Sequence, residues 1–573
     1  MERVKRSQSS DKVYHDHLKR TKCDGIAFVM NTKFCYRSSL GKSSVFEQLS
    51  NEILYEIFEY LDHYHAFQCF YDLNQRFRNL FYSKLPINTH LRSISKAEFH
   101  YYLTHTIIPD ADRIQSLQIS HPFVVELFLS LSCVMTKFTR LSKVDIHMIS
   151  VDSIEQIIDC LSSMSFLSSL TLSSIAKVKN VNEICFRIFR LSSLKYCSLS
   201  LPTLRKSVSG SITEDPTSPI ECLIIKSAVY IEQVSYFLSF LPKLRRLSID
   251  HLTAMPSPLV ILENSPPPIC SIYESYDAYN WEQTIRNSMP YLETFDLEYV
   301  HHMPVSEREQ DEYHESISKF YGSFWREHGW FFERQDYPQF EIGVFYSRSL
   351  HKKRYDLLFH ESLRTSWPLS SKNPMHHVYF RSIEIMKEST SYFPNATHLT
   401  LTEYLNVNDL HEFLPLQRLI ELTLTPLKFP FEQLLKLLQF APNLHKITLS
   451  CTIFDQVEDN LIQSNELFQN VSKTNMITTV IVHRTIVRCK LPVITTLFSR
   501  TRYLSLHLHK EILRPIILHL LPASNSRIPY LSTLCLSSQQ NNLMKSLQTI
   551  MKSTNILPEY EMKTIGRNLY LWC

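Results

Sequence analysis

Closely spaced histidines are the residues of this chain whose types and spacing could begin a metal site. Close pairs include His15/His17, His301/His302, His376/His377 and His507/His509. Imidazole is a frequent zinc ligand, but a zinc site needs several ligands in a recognisable pattern. Neither an HExxH motif nor a Cys/His set with zinc-ligand spacing accompanies these pairs. Because a chain with 25 histidines produces such pairs by chance, we predict no metal site.

Motifs for nucleophilic or nucleotide chemistry are missing as well. The chain has 7 glycines, and GxSxG, GxGxxG and GxxxxGK[ST] do not occur in it. Loops that cradle phosphate and elbows that present a nucleophile depend on glycine. We therefore predict that the protein is not an enzyme and needs no cofactor.

The cysteines and the N-terminus indicate an intracellular protein, cytoplasmic, nuclear or both. The 13 cysteines are scattered and form no CxxC pair, which favours reduced thiols over disulfides. The N-terminus lacks the apolar stretch of a signal peptide, and no run of about 18 apolar residues could span a membrane. A net charge of +4 gives no basis for expecting a membrane or nucleic-acid partner.

A repeat in the apolar residues indicates which elements would position functional side chains. The pattern apolar-x-x-apolar-x-apolar recurs at steps of 24 to 27 residues from Ile114 to Ile249 and returns at Ala396. The copies are Ile114/Leu117/Ile119, Leu141/Val144/Ile146, Leu167/Leu170/Leu172, Leu194/Cys197/Leu199, Ile220/Leu223/Ile225, Leu244/Leu247/Ile249, Leu292/Phe295/Leu297, Ala396/Leu399/Leu401, Leu419/Leu422/Leu424, Leu444/Ile447/Leu449, Ile477/Val480/Val482, Thr501/Leu504/Leu506 and Leu531/Leu534/Leu536. Each copy alternates like a strand, and most precede an amphipathic helical stretch, such as residues 153–164, 231–241 and 431–441.

A unit of one strand and one helix cannot bury its own apolar face, so neighbouring units must stack into a continuous core. The pattern resembles the leucine-rich-repeat family over roughly residues 110–540. The resemblance implies a solenoid with its strands side by side on a concave wall and its helices outside. An ordinary α/β domain is the alternative, and its spacing would be less regular.

The repeat is mostly lost between residues 255 and 392. Residues 255–270 are rich in proline, and residues 319–359 are aromatic and alternate in polarity as strands do. We predict an insertion that still packs on the array. Its aromatic residues could form a binding surface, since aromatic residues are enriched in interface hot spots, but we expect them to form core.

The stretch FEQLSNEILYEIFEYLD (46–62) is predicted to be an amphipathic helix capped by Ser50. A second amphipathic run follows at residues 65–81. Roughly forty residues of helix rarely fold alone, so the apolar stripe must dock on the array or on another protein.

This helical segment resembles the F-box family over residues 45–84. The family pattern is approximately LPxEILxxIFxYL, followed by a small helix and R-[FW]-x-x-L. It is matched by Leu49, Glu52-Ile53-Leu54, Ile57-Phe58, Tyr60-Leu61, Phe67, Leu73, Arg76-Phe77 and Leu80. Ser50 stands where the family has proline. An F-box followed by leucine-rich repeats is an arrangement known in the family.

The F-box resemblance implies that the chain binds a Skp-family adaptor and, through it, cullin and RING proteins. The chain would then be the substrate-recognition subunit of an E3 ubiquitin ligase, with the array holding a protein substrate. The implied adaptor-binding residues are Leu49, Ile53, Leu54, Ile57, Phe58, Leu61 and Phe67. One alternative is a ligase-independent interaction scaffold whose helices cap the first repeat. Another is a nucleic-acid binder that acts through a basic tail.

The substrate would meet the residues between the strand leucines, because these point away from the repeat core. The first half of the array carries most of the charge on this wall, and the second half is dominated by threonine and histidine. We therefore expect the first half of the array to determine which substrate is bound. The predicted substrate-binding residues are Lys143, Asp145, His147, Tyr196, Arg246, Asp250, Asp296 and Glu298.

The predicted fold class is α/β, with a short all-α F-box followed by an irregular leucine-rich-repeat solenoid that contains an aromatic-rich insertion. We divide the chain into five parts. Residues 1–44, with ten Lys/Arg against four Asp/Glu, form a flexible basic tail. The F-box spans 45–84, the first half of the array 85–254, the insertion 255–392 and the second half 393–573.

Overall fold

The structure is a computed structural model of the chain. It describes residues 45–59, 63–71, 73–81, 87–91, 94–130, 137–179, 181–202, 218–230, 234, 237–253, 278–302, 314–315, 317–337, 342–347, 354–357, 376–380, 392–426, 429–454, 457, 465–485, 490–521, 528–538, 543–554, 560–565 and 567–572. The predicted basic tail, the proline-rich loop and Leu61 lie outside these ranges.

In the described residues, three short helices precede the first strand. They are α1 (Asn51–Glu59), α2 (His63–Phe70) and α3 (Gln75–Phe81), and a 3-10 turn at Val45–Gln48 leads into them. Ser50 caps α1 as predicted, since its Oγ accepts a hydrogen bond of 3.5 Å from the backbone N–H of Ile53.

The described strands form two ten-stranded sheets. The strands of the first are β1 (Ile87–Leu91), β2 (Ile114–Ile119), β3 (Lys143–Ile149), β4 (Ser169–Ser174), β5 (Tyr196–Ser200), β6 (Cys222–Tyr230), β7 (Arg246–Thr253), β8 (Thr294–His302), β9 (Phe332–Tyr337) and β10 (Ile342–Ser347). Strands β1 to β8 are parallel and adjacent in chain order. An antiparallel pair, β10 and then β9, closes the sheet.

The second sheet repeats this plan. Its strands are β11 (Arg354–Leu357), β12 (His377–Phe380), β13 (His398–Leu401), β14 (Glu421–Leu424), β15 (Lys446–Ser450), β16 (Thr479–Thr485), β17 (Tyr503–His507), β18 (Thr533–Ser537), β19 (Glu561–Ile565) and β20 (Asn568–Trp572). Strands β11 to β18 are parallel, and the antiparallel pair β20 and β19 closes the sheet.

Helices connect most of the successive parallel strands. In the first array they are α4 (Lys96–Tyr102), α5 (Pro122–Ser130), α6 (Val151–Ser162), α7 (Val181–Phe189) and α8 (Ala278–Ser288). Helix α9 (Ser323–Glu327) follows β8 and precedes the antiparallel pair of strands instead. In the second array they are α10 (Val407–Leu410), α11 (Phe431–Phe440), α12 (Glu466–Thr474), α13 (Leu491–Leu497) and α14 (Leu513–Leu520), and α15 (Leu543–Thr554) precedes the antiparallel pair. The predicted helices at 153–164 and 431–441 correspond to α6 and α11.

The repeat motif forms the two apolar cores. Its residues are buried throughout, except that Leu531 is partly buried. In the parallel register Leu117 lies opposite Val144, which lies opposite Leu170, so the motif residues stack from strand to strand. This confirms the predicted alternation of strand and helix in a solenoid-like α/β fold.

The insertion divides the array rather than interrupting a single sheet. Its strands β9 and β10 end the first sheet, and β11 and β12 begin the second. The aromatic residues that the structure describes here include Phe320, Trp325, Trp330, Phe332 and Phe345, all buried in the first core. As expected, these residues are core.

The end of the second sheet contacts the beginning of the first. Trp572 on β20 lies in the first core and donates a hydrogen bond of 2.8 Å from Nε1 to the carbonyl oxygen of Ile94. Within the described ranges, no helix is long and apolar enough to cross a membrane.

Candidate protein-interaction surfaces

The predicted adaptor-binding stripe on α1 is only partly available at the surface. If Leu54, Ile57 and Phe58 contact an adaptor, as the F-box resemblance implies, they should be exposed in the chain alone. Leu54 and Phe58 are instead buried in this chain's own core, as is Phe67 on α2. Phe58 stacks on Phe81 with ring centroids 5.2 Å apart. Truncating these buried side chains would therefore destabilise the fold of the segment, whether or not a partner binds there.

Among the members of the stripe that the structure describes, Ile53 is the one that faces solvent. Its exposed fraction is 44%, whereas Leu49 and Ile57 are half-buried against the core. Leu73, between α2 and α3, is 42% exposed. These two residues are exposed large apolar side chains within the F-box-like segment, which is where a partner would find apolar surface.

Arg76 on α3 fixes the start of α1. Its Nη1 donates to the carbonyl oxygen of Glu47 at 2.6 Å, and its Nη2 donates to that of Leu49 at 2.5 Å. Its Nε and Nη2 also donate to Oδ1 of Asn51, at 3.0 and 2.7 Å. Hydrogen bonds from a charged donor are stronger than neutral ones. Arg76 thus positions the turn that presents Ile53.

The first wall consists of the side chains between the buried residues of β3 to β8. In the parallel register Lys143, Tyr196 and Arg246 lie in one row across the sheet, and Asp145 and Asp296 lie in the next. Lys143 is exposed, and Tyr196 and Arg246 are half-buried. The structure therefore places these five predicted residues on one wall.

At one end of the wall, Asp145 pairs with His147. The Nε2 of His147 lies 2.8 Å from Oδ1 of Asp145. Burial acts to raise the pKa of Asp145, but His147, followed by Lys143 and Lys226, outweighs this effect and lowers it. The backbone of Met148, next along β3, has a φ of 61° at an irregularity in the register, which is rare for a residue other than glycine.

At the other end, Arg246 pairs with a buried carboxylate. The side chain of Asp296 lies 3.5 Å from Nη2 of Arg246, and the exposed fraction of Asp296 is 5%. Ser347 on β10 donates from Oγ toward Oδ1 of Asp296 at 3.4 Å and accepts a hydrogen bond of 3.1 Å from the N–H of Leu297. Asp296 thus contacts both Arg246 on the wall and Ser347 on β10, one of the two antiparallel strands at the end of the sheet.

Asp250 and Glu298 extend the first wall beyond this pair. Both are half-buried, and Glu298 lies opposite Tyr346 in the antiparallel pairing of β8 with β10. Each makes polar or electrostatic contacts within the chain.

The corresponding face of the second sheet, the second wall, carries a charged group whose pairings were not predicted from the sequence. His398, Glu421 and Lys446 lie in one row on β13, β14 and β15. The Nε2 of His398 is 3.7 Å from one oxygen of Glu421, and the Nζ of Lys446 is 3.0 Å from the other. Together His398 and Lys446 lower the pKa of Glu421 to about 2. All three residues occupy the same place in successive repeat motifs, which is the signal that could have identified the group.

The histidine pairs do not assemble into a metal site where the structure describes them. No group of three or more His, Cys, Asp or Glu side chains in the described ranges could hold a metal ion. His376 bonds through Nδ1 to the carbonyl oxygen of Asn395 at 3.1 Å, and His377 bonds through Nε2 to Oγ1 of Thr400 at 2.9 Å. His15 and His17 lie outside the described residues.

Comparisons with known proteins do not assign the chain to a family. No protein-family model matches it, and no curated protein matches it. Among solved structures, it is similar to a chain from the crystal structure of the Rad7 and Elc1 complex in yeast. The two chains are 13% identical, the alignment covers 84% of this chain and 94% of the other, and the TM-score is 0.26.

Proposed function

We propose that this chain is the substrate-recognition subunit of a cullin–RING E3 ubiquitin ligase. In this proposal Ile53 and the adjoining surface of α1 bind a Skp-family adaptor, and the walls of the arrays hold a protein substrate. The observation that supports it is the exposed apolar side chain of Ile53 on the short helix α1. Arg76 holds the start of this helix by hydrogen bonds, and the helix lies next to an array with charged walls.

Such a protein performs no bond chemistry of its own. It raises the effective concentration of substrate near the ubiquitin-charged enzyme by holding both in one complex. This role needs a regular framework and recognition surfaces. The two sheets form such a framework, and we propose their walls as the recognition surfaces. We also propose that it acts inside the cell, in the cytoplasm, the nucleus or both.

We propose that the first wall makes the main contribution to substrate recognition. Lys143 and the Asp145–His147 pair give it charges of both signs on exposed or half-buried positions. Complementary charges give specificity by excluding wrong partners. The second wall, with His398, Glu421 and Lys446, adds a further charged group that a substrate could contact.

A ligase-independent scaffold is the second candidate, because the F-box-like helices bury much of their stripe within the chain. Leu54, Phe58 and Phe67 pack in the first core, so α1 and α2 cover the end of the array as a solenoid cap does. In that case the exposure of Ile53 would have no function, since single exposed apolar residues are common on protein surfaces.

Replacing Ile53 with aspartate separates the two candidates. In the ligase subunit the variant buries an unpaired carboxylate in an apolar interface, and we expect its affinity for a purified Skp-family adaptor to fall roughly a hundredfold. Biolayer interferometry with the full-length chain measures the change. Because Ile53 faces solvent, the fold should tolerate the substitution.

The matched control is Phe166→Asp, an exposed apolar residue in the first array whose exposed fraction is 65%. Its adaptor affinity should equal that of the unmodified chain. If Ile53→Asp and Phe166→Asp bind the adaptor equally well, or if the unmodified chain does not bind it, the ligase proposal fails and the scaffold stands.

A further inference from the structure

The last strands of the second array bury both of their faces, but in two different cores. Along β18 and β20 the residues Leu534, Leu536, Leu569 and Leu571 belong to the core of the second array. The alternating residues Cys535, Tyr570 and Trp572 belong to the core of the first array. Alternate residues of a strand point to opposite faces of the sheet. The second wall is therefore covered at this end.

The same register row runs from the open end of the second wall to the covered end. Glu421 and Lys446 lie in this row, and Thr533 and Trp572 continue it on β18 and β20. The side chain of Lys446 is 41% exposed, whereas Thr533 and Trp572 are 0% exposed. The covering is therefore confined to one part of a continuous surface.

The segment that covers this end belongs to the first repeats of the same chain. The indole of Trp572 stacks on Phe123 of α5, with ring centroids 5.5 Å apart and planes inclined by 17°. It also lies against His121, at 4.9 Å between centroids, and Phe99 of α4, at 5.9 Å. With the hydrogen bond to Ile94, one tryptophan thus contacts four residues of the 94–130 segment.

Polar groups complete the contact. His121 and Thr533, both buried, are joined by a hydrogen bond of 2.7 Å between Nε2 and Oγ1. Burial lowers the pKa of His121 to about 3, so its imidazole is neutral near pH 7 and suits a buried site. At the rim Lys96 lies 2.5 Å from Glu561, and Lys563 pairs with Glu126.

Helix α2 of the F-box-like segment joins the same contact. Burial disfavours the charge of Arg502, just before β17, but Glu98 of α4 and Tyr64 of α2 outweigh that effect and raise its pKa. Tyr64 is itself buried, and Gln68 of α2 donates a hydrogen bond of 3.1 Å to Glu98. Polar interactions therefore connect α2 and α4 with Arg502, the residue that precedes β17.

We infer that the end of the second wall is a receptor surface for this chain's own residues 94–130, and that the contact acts as an intramolecular lock. The lock consists of the 94–130 segment and the residues of the second array that contact it, which include Trp572, Thr533 and Glu561. It ties α2, and through it α1, to the far end of the second array. The covered end is closed to other partners, which leaves the His398–Glu421–Lys446 end as the open part of this wall.

Hydrogen exchange of the full-length chain tests the lock. Trp572→Ala should raise the exchange rates of amides in α4 and α5 more than tenfold, although these helices lie more than 400 residues away in sequence. The matched control is Phe454→Ala, which truncates a fully buried aromatic residue in the core of the second array away from the lock. It should leave exchange in α4 and α5 unchanged. Equal exchange of α4 and α5 in Trp572→Ala and the unmodified chain would overturn the inference.

A charge swap keeps the inference testable if Trp572→Ala does not fold. Glu561→Lys places two ammonium groups together at the rim and should raise exchange in α4 several-fold. Adding Lys96→Glu restores the pair with reversed charges and should return the exchange to its original rate. If the double variant exchanges as fast as Glu561→Lys, the two residues do not pair across the lock and the inference fails. Adaptor affinity does not enter either readout, so these results are separate from the proposed ligase role.

Discussion

Trp325→Ala is expected to destabilise the first array by about 4 kcal/mol, because loss of a buried tryptophan removes apolar contacts and leaves a cavity. Trp325 is 1% exposed. Its ring centroid lies 4.9 Å from that of Phe320 and 5.3 Å from that of Phe332, and Phe295 of β8 is 5.9 Å away. Urea unfolding followed by circular dichroism measures the loss, which should appear as a lower midpoint for the first array.

Phe331→Ala is the control for this prediction, since Phe331 is an aromatic residue of the same insertion and is 54% exposed. Its effect on the free energy of unfolding should stay within about 0.5 kcal/mol. A similar small effect from both variants would contradict the assignment of these aromatic residues to the core.

Arg246→Glu is expected to destabilise the first array by about 3 kcal/mol, because the buried carboxylate of Asp296 loses its cation and gains a like charge. We place the loss at the lower end for such pairs because the side chain of Arg246 is 35% exposed to solvent. An exposed wall residue without such a partner would change the free energy of unfolding by less than about 0.5 kcal/mol on charge reversal. The pairing with Asp296 is the reason for expecting a larger loss here. Urea unfolding measures this loss as well.

Lys143→Glu is the matched control, because Lys143 lies in the same row of the wall and is exposed. Its reversal should change the free energy of unfolding by less than about 0.5 kcal/mol. The double variant Arg246→Met with Asp296→Leu should recover much of the loss, since an apolar pair can replace a buried ion pair. If Arg246→Glu is as mild as Lys143→Glu, the pair does not stabilise the sheet, and Arg246 is only a wall residue.

The repeat architecture was predictable because its signal is local. Three apolar positions mark each strand, and the interval between copies is nearly constant, so burial of residues such as Leu170 and Leu422 followed from the pattern. Strand β1 was missed because Asn88, Thr89 and His90 break the apolar motif. Strands β19 and β20 were missed because they form an antiparallel hairpin that lacks the repeat.

The helical segment was predictable in position but not in what covers it. The spacing of Leu54, Ile57 and Phe58 identifies the apolar face of α1 and predicts that this face is buried. The spacing does not indicate whether the surface that covers this face belongs to the same chain. Here Phe70 and Phe81 cover Phe58, with centroids at 5.3 and 5.2 Å, and Ile53 is left to solvent.

The wall residues were predictable as a set, whereas their pairings were not. Alternation along a strand places Arg246 and Asp296 on one face, but 50 residues separate them in sequence, and only the register of β7 with β8 brings them together. The lock is harder still to predict. The bond from Trp572 to Ile94 spans 478 residues and depends on how the ends of two arrays meet.

Co-elution of the full-length chain with a purified Skp-family adaptor bound to its cullin tests the central claim most directly. On size-exclusion chromatography at micromolar concentrations, the unmodified chain should elute in one complex with adaptor and cullin, and the Ile53→Asp variant should elute alone. An established F-box protein run in parallel shows that the adaptor is competent. If the unmodified chain elutes apart from an adaptor that binds this control, the chain is not a ligase subunit of this class.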